Sequence, residues 1–95
     1  MNLQEFKLSL RDNILPTNLS KGLQALWYDG KDNWEQAHDI AQDIHSDEGS
    51  WIHAYLHRKE GDHGNAAYWY HRANQPVCKA SLPEEWENIV STLLS

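Results

Sequence analysis

Apolar positions in this chain recur at intervals of three and four, in short segments divided by Gly, Asn, Asp and Pro; that pattern predicts an all-α fold. The first segment reads two ways. Asn2 with Glu5 fits a capping box opening a helix over about 3–11, whereas Phe6, Leu8 and Leu10 alternate as a strand would. A lone strand finds no partner in the rest of the sequence, so helix is preferred. Residues 13–18, with Pro16, form a connector. Ser20 caps a helix reaching about Asp29, with Leu19, Leu23 and Leu26 on one face and Ala25 and Trp27 beside them. Gly30 and Lys31-Asp32-Asn33 interrupt it, and Asn33 with Gln36 repeats the capping pattern ahead of Ala37, Ile40, Ala41 and Ile44. His45 to Gly49 reads as a polar turn. A helix over Ser50–Glu60, stopped at Gly61, and another over about Gly64–Asn74, stopped before Pro76, come next. Residues 75–81 connect to a last helix over about 82–94, opened by Ser81 with Glu84; its Trp86, Ile89, Val90 and Leu93 form a stripe that needs a cover.

The stretch from His53 to Asp62, with Asn65 to Ala73 after it, is the densest in aromatics, His and Arg. It reads as two amphipathic helices around a Gly61-Asp62 turn. At an offset of 29 residues, Ala25 aligns with Ala54, Leu26 with Tyr55, Ala37 with Ala66, Ala41 with Tyr70 and Ile44 with Ala73. Small residues at such spacing let two helices cross closely, with a larger side chain plugging the gap a turn later. Gly61-Asp62, Ala66, Tyr70 and Ala73 resemble the second helix of a tetratricopeptide-like hairpin, and Trp34, Ala37 and Ala41 match that helix in a first unit. The resemblance covers about residues 20–75 and departs from the family in its 29-residue spacing. It implies a right-handed stack of two consecutive antiparallel hairpins, 20–45 and 50–74, flanked by an N-terminal helix and a capping helix at 82–94 in one domain over 1–95. More closely, HAYLHRKEGD from His53 and NAAYWY from Asn65 look like a group of short bacterial proteins with no assigned activity, a likeness that supplies no chemistry.

Ninety-five residues suit one domain with one modest core, and five Trp, four Tyr and one Phe make that core aromatic. No apolar run approaches the ~20 residues of a membrane span, and Met1 to Phe6 lack the basic start and apolar centre of a signal peptide. Cys78 is the single cysteine, so no internal disulfide is expected. Together these features predict a cytoplasmic protein without a membrane partner. The formal charge of −6 argues against nucleic acid, although protonating all six His would cancel it.

His53 and His57 stand one helical turn apart with Glu60 a turn further, a spacing that can chelate a divalent metal. The zinc-protease pattern needs Glu after the first His, where Ala54 stands. The plainer reading is imidazoles hydrogen-bonded within the helix stack, binding metal only adventitiously. Arg58, Lys59 and Arg72 form a basic cluster; they pair with the protein's own carboxylates, or Arg58 and Arg72 hold an anionic ligand or acidic partner. A guanidinium over Tyr68 or Trp69 would be a cation–π contact. Tyr70 shares the face of Ala66 and Ala73 and belongs to the core. Trp69 points elsewhere: packing on the C-terminal helix, where Trp86 and Leu93 need a cover, leads over lining a groove. Cys78 has only His71 near it in sequence, which is thin support for a nucleophile.

The function expected from these features is a noncatalytic protein- or peptide-interaction module, a monomer or a homodimer through the aromatic face. Its surface would use His53, His57, Arg58, Tyr68, Trp69 and Arg72, and it needs no cofactor. The competing class is a small metal- or ligand-dependent enzyme centred on His53, His57 and Glu60.

Overall fold

In the computed structural model, which describes residues 1–95, each helix opens on a capping side chain. The helices are α1 (Leu3–Arg11), α2 (Lys21–Gly30), α3 (Trp34–Gln42), α4 (Asp47–Lys59), α5 (His63–Arg72) and α6 (Leu82–Leu94), and there is no strand. Asn2, Ser20, Asn33, Ser46, Asp62 and Ser81 each accept a hydrogen bond from the backbone N–H three residues on. At Asn2 the box is reciprocal: the Asn2 N–H donates to Glu5 Oε1 at 3.1 Å while Glu5 N–H donates to Asn2 Oδ1 at 2.8 Å. That closure decides the first segment as helix. Four helices stop alike, on a residue in the left-handed region: Asn13, Asp32, Gly61 and Asn74. The next N–H then closes back on the carbonyls of Ser9, Tyr28, His57 and Tyr70.

One boundary differs from expectation. The polar run before Ser50 is the first turn of α4, not a loop, because Ser46 caps it and Asp47 and Glu48 sit at the positive end of the helix dipole. Gly49 is required there by close approach. A Cβ on it would lie 2.2 Å from the Ile44 carbonyl oxygen.

Helix α2 pairs with α3 and α4 with α5 as hairpins, and α3 lies along α4 to join them. Helix α6 crosses α2 and α4, and α1 covers α6. The main core gathers Phe6, Leu26, Ile52, Leu56, Ile89 and Val90, all fully buried. A satellite core at the α4–α5 crossing consists of Ala54, Ala66 and Tyr70, with Cys78 half-buried against it. Small residues at the aligned positions Ala25, Ala37, Ala54 and Ala66 are all buried, as close crossing requires. Three indoles tie helices together by donating to a neighbour: Trp27 Nε1 to Ser9 Oγ at 3.1 Å, Trp34 Nε1 to the Leu56 carbonyl at 2.8 Å, and Trp86 Nε1 to the Leu26 carbonyl at 3.0 Å. No helix is long and apolar enough to cross a membrane.

Two carboxylates enter this core with partners supplied by α4 and α5. Asp29 accepts from Tyr55 Oη at 2.7 Å and Lys59 Nζ at 2.9 Å; Glu85 accepts from Tyr70 Oη at 2.5 Å and Arg58 Nη1 at 2.8 Å. Arg58 Nη2 also donates to the Ala80 carbonyl. A buried charge is tolerable only when paired and hydrogen-bonded in this way. Burial, reinforced by the adjacent carboxylate, pushes both phenols far above their ordinary value, so each O–H remains a donor.

Candidate functional site

Helices α3, α4 and α5 bring a run of flat side chains together beside a groove. His53 and His57 are one turn apart on α4 and stack at 4.7 Å between ring centroids, 24° between planes. On one side of them lies Trp69 of α5, stacked on His53 at 4.1 Å and 22°. From α3, His38 meets His53 and His57 edge-on at 4.6 and 5.3 Å, and is itself backed by Trp34 at 4.9 Å and 13°. Trp34 is fixed by its bond to the α4 backbone, so His38 is held against α4 from behind.

Polar contacts set the tautomers. His53 Nε2 and His38 Nε2 share one proton across 2.9 Å. His57 Nδ1 lies 2.8 Å from Glu60 Oε1, and a carboxylate only accepts, so Nδ1 carries the hydrogen. In the neutral ring Nε2 is then the lone-pair nitrogen, within 3.4 Å of the Asn65 amide. Burial, with the neighbouring His38 and His57 rings adding to it, lowers the pKa of His53 from 6.5 to about 4. His53 is therefore a neutral imidazole near pH 7.

The groove, about 430 Å³, runs past the open end of this stack. Its walls are the end of α3 with Ile44 and His45, the first turns of α4 with Asp47 and Ser50, and His53, Trp69 and Arg72. Arg72 lies over the Trp69 ring at 5.3 Å and the Tyr68 ring at 5.9 Å, and its Nη1 donates to Tyr68 Oη at 3.1 Å. None of the fold's ion pairs includes it. Asp47, the carboxylate in the wall, already accepts from Asn74. A larger cleft of about 590 Å³ is bounded by Lys7, Asp29, Tyr55, Lys59, Trp86 and Glu87 among others. Size favours it, yet both of its cations are spent, Lys7 on Glu87 and Lys59 on Asp29, which leaves only the Asp32 carboxylate unpaired there, whereas the smaller groove holds an unpaired guanidinium.

Set against the sequence expectations, His53, Trp69 and Arg72 do meet at one groove, while exposed Tyr68 packs on Trp69 and Arg72 without lining it, and neither His57 nor Arg58 lines it. Three expectations change. Arg58 is drawn inward by Glu85 and Ala80, so its donors serve the fold rather than a surface. Trp69 stacks on His53 instead of covering the C-terminal helix, where Phe6 packs on Trp86 at 5.8 Å. Glu60 groups with His57 and Asp62, whereas His53 and His57 group with His38, which sequence reasoning missed. The available signal was Trp34 four residues ahead of His38, which puts an aromatic and an imidazole on one face of α3.

No family model, no curated protein and no solved structure matches this chain.

Proposed function

We propose that the protein is a noncatalytic peptide-binding module whose α3–α4–α5 groove receives a partner segment carrying a carboxylate. The observation that carries this reading is Arg72: a guanidinium stacked on Trp69 at the groove and paired with no acid of its own chain. Guanidinium is the side chain best suited to bidentate capture of a carboxylate, and Trp69 pre-orients it at little entropic cost. Trp69 and Tyr68 then give apolar area to the residue next to that carboxylate, as aromatics do at binding hot spots. A groove of a few hundred Å³ matches a few side chains, not a whole partner surface.

Panning a random peptide library on the untagged protein tests this. Selected sequences should be enriched in Asp, Glu or a free C-terminus beside an apolar residue. Arg72→Ala should weaken their binding by at least about 10-fold, the loss of one charge-assisted contact, while the melting temperature stays within a few degrees. Arg72→Lys should recover only part of that binding. Selected peptides that bind Arg72→Ala and the parent protein equally would refute the reading.

A further inference from the structure

Three of the six histidines converge although they come from two helices, and each offers one ring nitrogen within 4.8 Å of the others. The remaining three, His45, His63 and His71, lie outside that group. We propose that His38, His53 and His57 form a site for one divalent transition-metal ion of the zinc class, with Glu60 as the orienting partner of His57.

Three features support it. First, the Nε2 atoms of His38 and His53 face each other across 2.9 Å, held by a single shared proton. A tetrahedral zinc ion with Zn–N of about 2.0–2.1 Å sets its nitrogen ligands about 3.3–3.4 Å apart. Replacing the shared proton by the ion therefore needs an opening of only a few tenths of an ångström; the ring that accepted already carries its hydrogen on Nδ1, and the ring that donated shifts its proton from Nε2 to Nδ1, so both Nε2 lone pairs face the ion. Second, Glu60 at His57 Nδ1 makes the carboxylate–histidine arrangement that fixes a metal-binding tautomer and leaves Nε2 with its lone pair. Third, the ligands are pre-positioned: Trp34 backs His38, and Trp69 backs His53. Three imidazoles without a thiolate suit zinc, cobalt, nickel or copper rather than calcium or magnesium, which prefer oxygen. They leave a fourth coordination position, and His53 also lines the groove. His38 is not part of the groove wall, so this site can fail while the peptide reading stands, and the reverse.

The experiment uses the untagged full chain, stripped with chelator and titrated with ZnCl₂ by calorimetry, then with CoCl₂ by visible absorption. One equivalent should bind, and the Co²⁺ form should show the intense d–d bands of four-coordinate geometry. His38→Gln and His57→Gln should each weaken Zn²⁺ binding by about 100-fold and Glu60→Gln by about 10-fold, following the losses typical of metal-site partners. His45→Gln and His63→Gln should leave it unchanged. Should the ligand variants fail to fold, long-range ¹H–¹⁵N spectra of the parent protein decide: the His38, His53 and His57 ring nitrogens must shift together on adding Zn²⁺. Absence of saturable uptake would overturn the proposal, and so would uptake indifferent to His38→Gln. Loss on Asp62→Asn with His38→Gln silent would do the same, since it would put the ion at His57, Glu60 and Asp62.

Discussion

Replacing Arg58 separates scaffold from surface. In Arg58→Ala, Glu85 keeps Tyr70 but loses its only cation, at a position 2 % exposed, and the Ala80 carbonyl loses its guanidinium donor. An exposed ion pair of this type contributes about 0–1 kcal/mol. Breaking a buried one by removing a single partner costs about 3–5 kcal/mol, because the other charge is stranded. The total stability of a domain this size is about 5–14 kcal/mol, so the variant should fold but sit near its limit. At about 4–8 °C per kcal/mol for a domain of this length, a loss of 3 kcal/mol lowers the melting temperature by roughly 12–24 °C. Urea unfolding followed by tryptophan fluorescence at pH 7 gives the free energy directly. The companion is Arg58→Met combined with Glu85→Gln, which removes both charges yet leaves an acceptor for Tyr70 Oη. It should recover to within about 1–2 kcal/mol of the parent protein. A loss below about 1 kcal/mol in Arg58→Ala, the range of exposed pairs, would refute the account, as would a double variant no more stable than Arg58→Met alone. Arg58 would then return to the candidate surface.

Two glycines on helices should respond oppositely to alanine. Gly49→Ala drives a Cβ into the Ile44 carbonyl and should cost about 3 kcal/mol, the upper end for overpacking, since the obstacle is backbone; Gly64→Ala meets nothing within 4 Å and should stabilise α5 by about 0.4–1 kcal/mol. Thermal melts of the pair check both, and a neutral Gly49→Ala would mean that the start of α4 is looser than described. His53 should titrate with a midpoint near pH 4 by NMR. Between pH 6.5 and about 4 the unfolded chain binds a proton that folded His53 refuses, so stability is full above 6.5 and falls as pH drops through that window. A midpoint at or above 6 would show that the stack admits water.

Much of the fold was legible because its signals are local. Four of the six caps, Asn2, Ser20, Asn33 and Ser81, and the breaks behind α2 and α4 need only neighbouring residues to act. The start of α4 was misread for a physical reason: Ser46-Asp47-Glu48-Gly49 has the composition of a turn, and the glycine is there for contact with Ile44, which no local pattern records. The site divides the same way. His53 and His57 follow from helical spacing, as does Arg72 beside Tyr68 one turn back. His38 and Glu85 do not, because their partners lie 15 and 27 residues away, and only packing decides which charge or ring each one meets.

Helix α4 carries both halves of this arrangement on opposite sides. At about 100° per residue, Tyr55 lies about 160° around the helix from His53, Arg58 about 140° and Lys59 about 120°. The core-facing side supplies donors to Asp29 and Glu85, while the other presents His53 and His57 to α3 and α5. We hypothesise that placement of the imidazoles depends on ion pairs they never touch, because Arg58 ties α4 to Glu85 and Ala80 and thereby steadies the helix that carries them. Arg58→Ala should then weaken metal binding as well as stability, whereas His38→Gln should weaken metal binding while the Glu85 pair holds. That asymmetry is what a shared rigid helix requires, and two independent surfaces on α4 would not produce it.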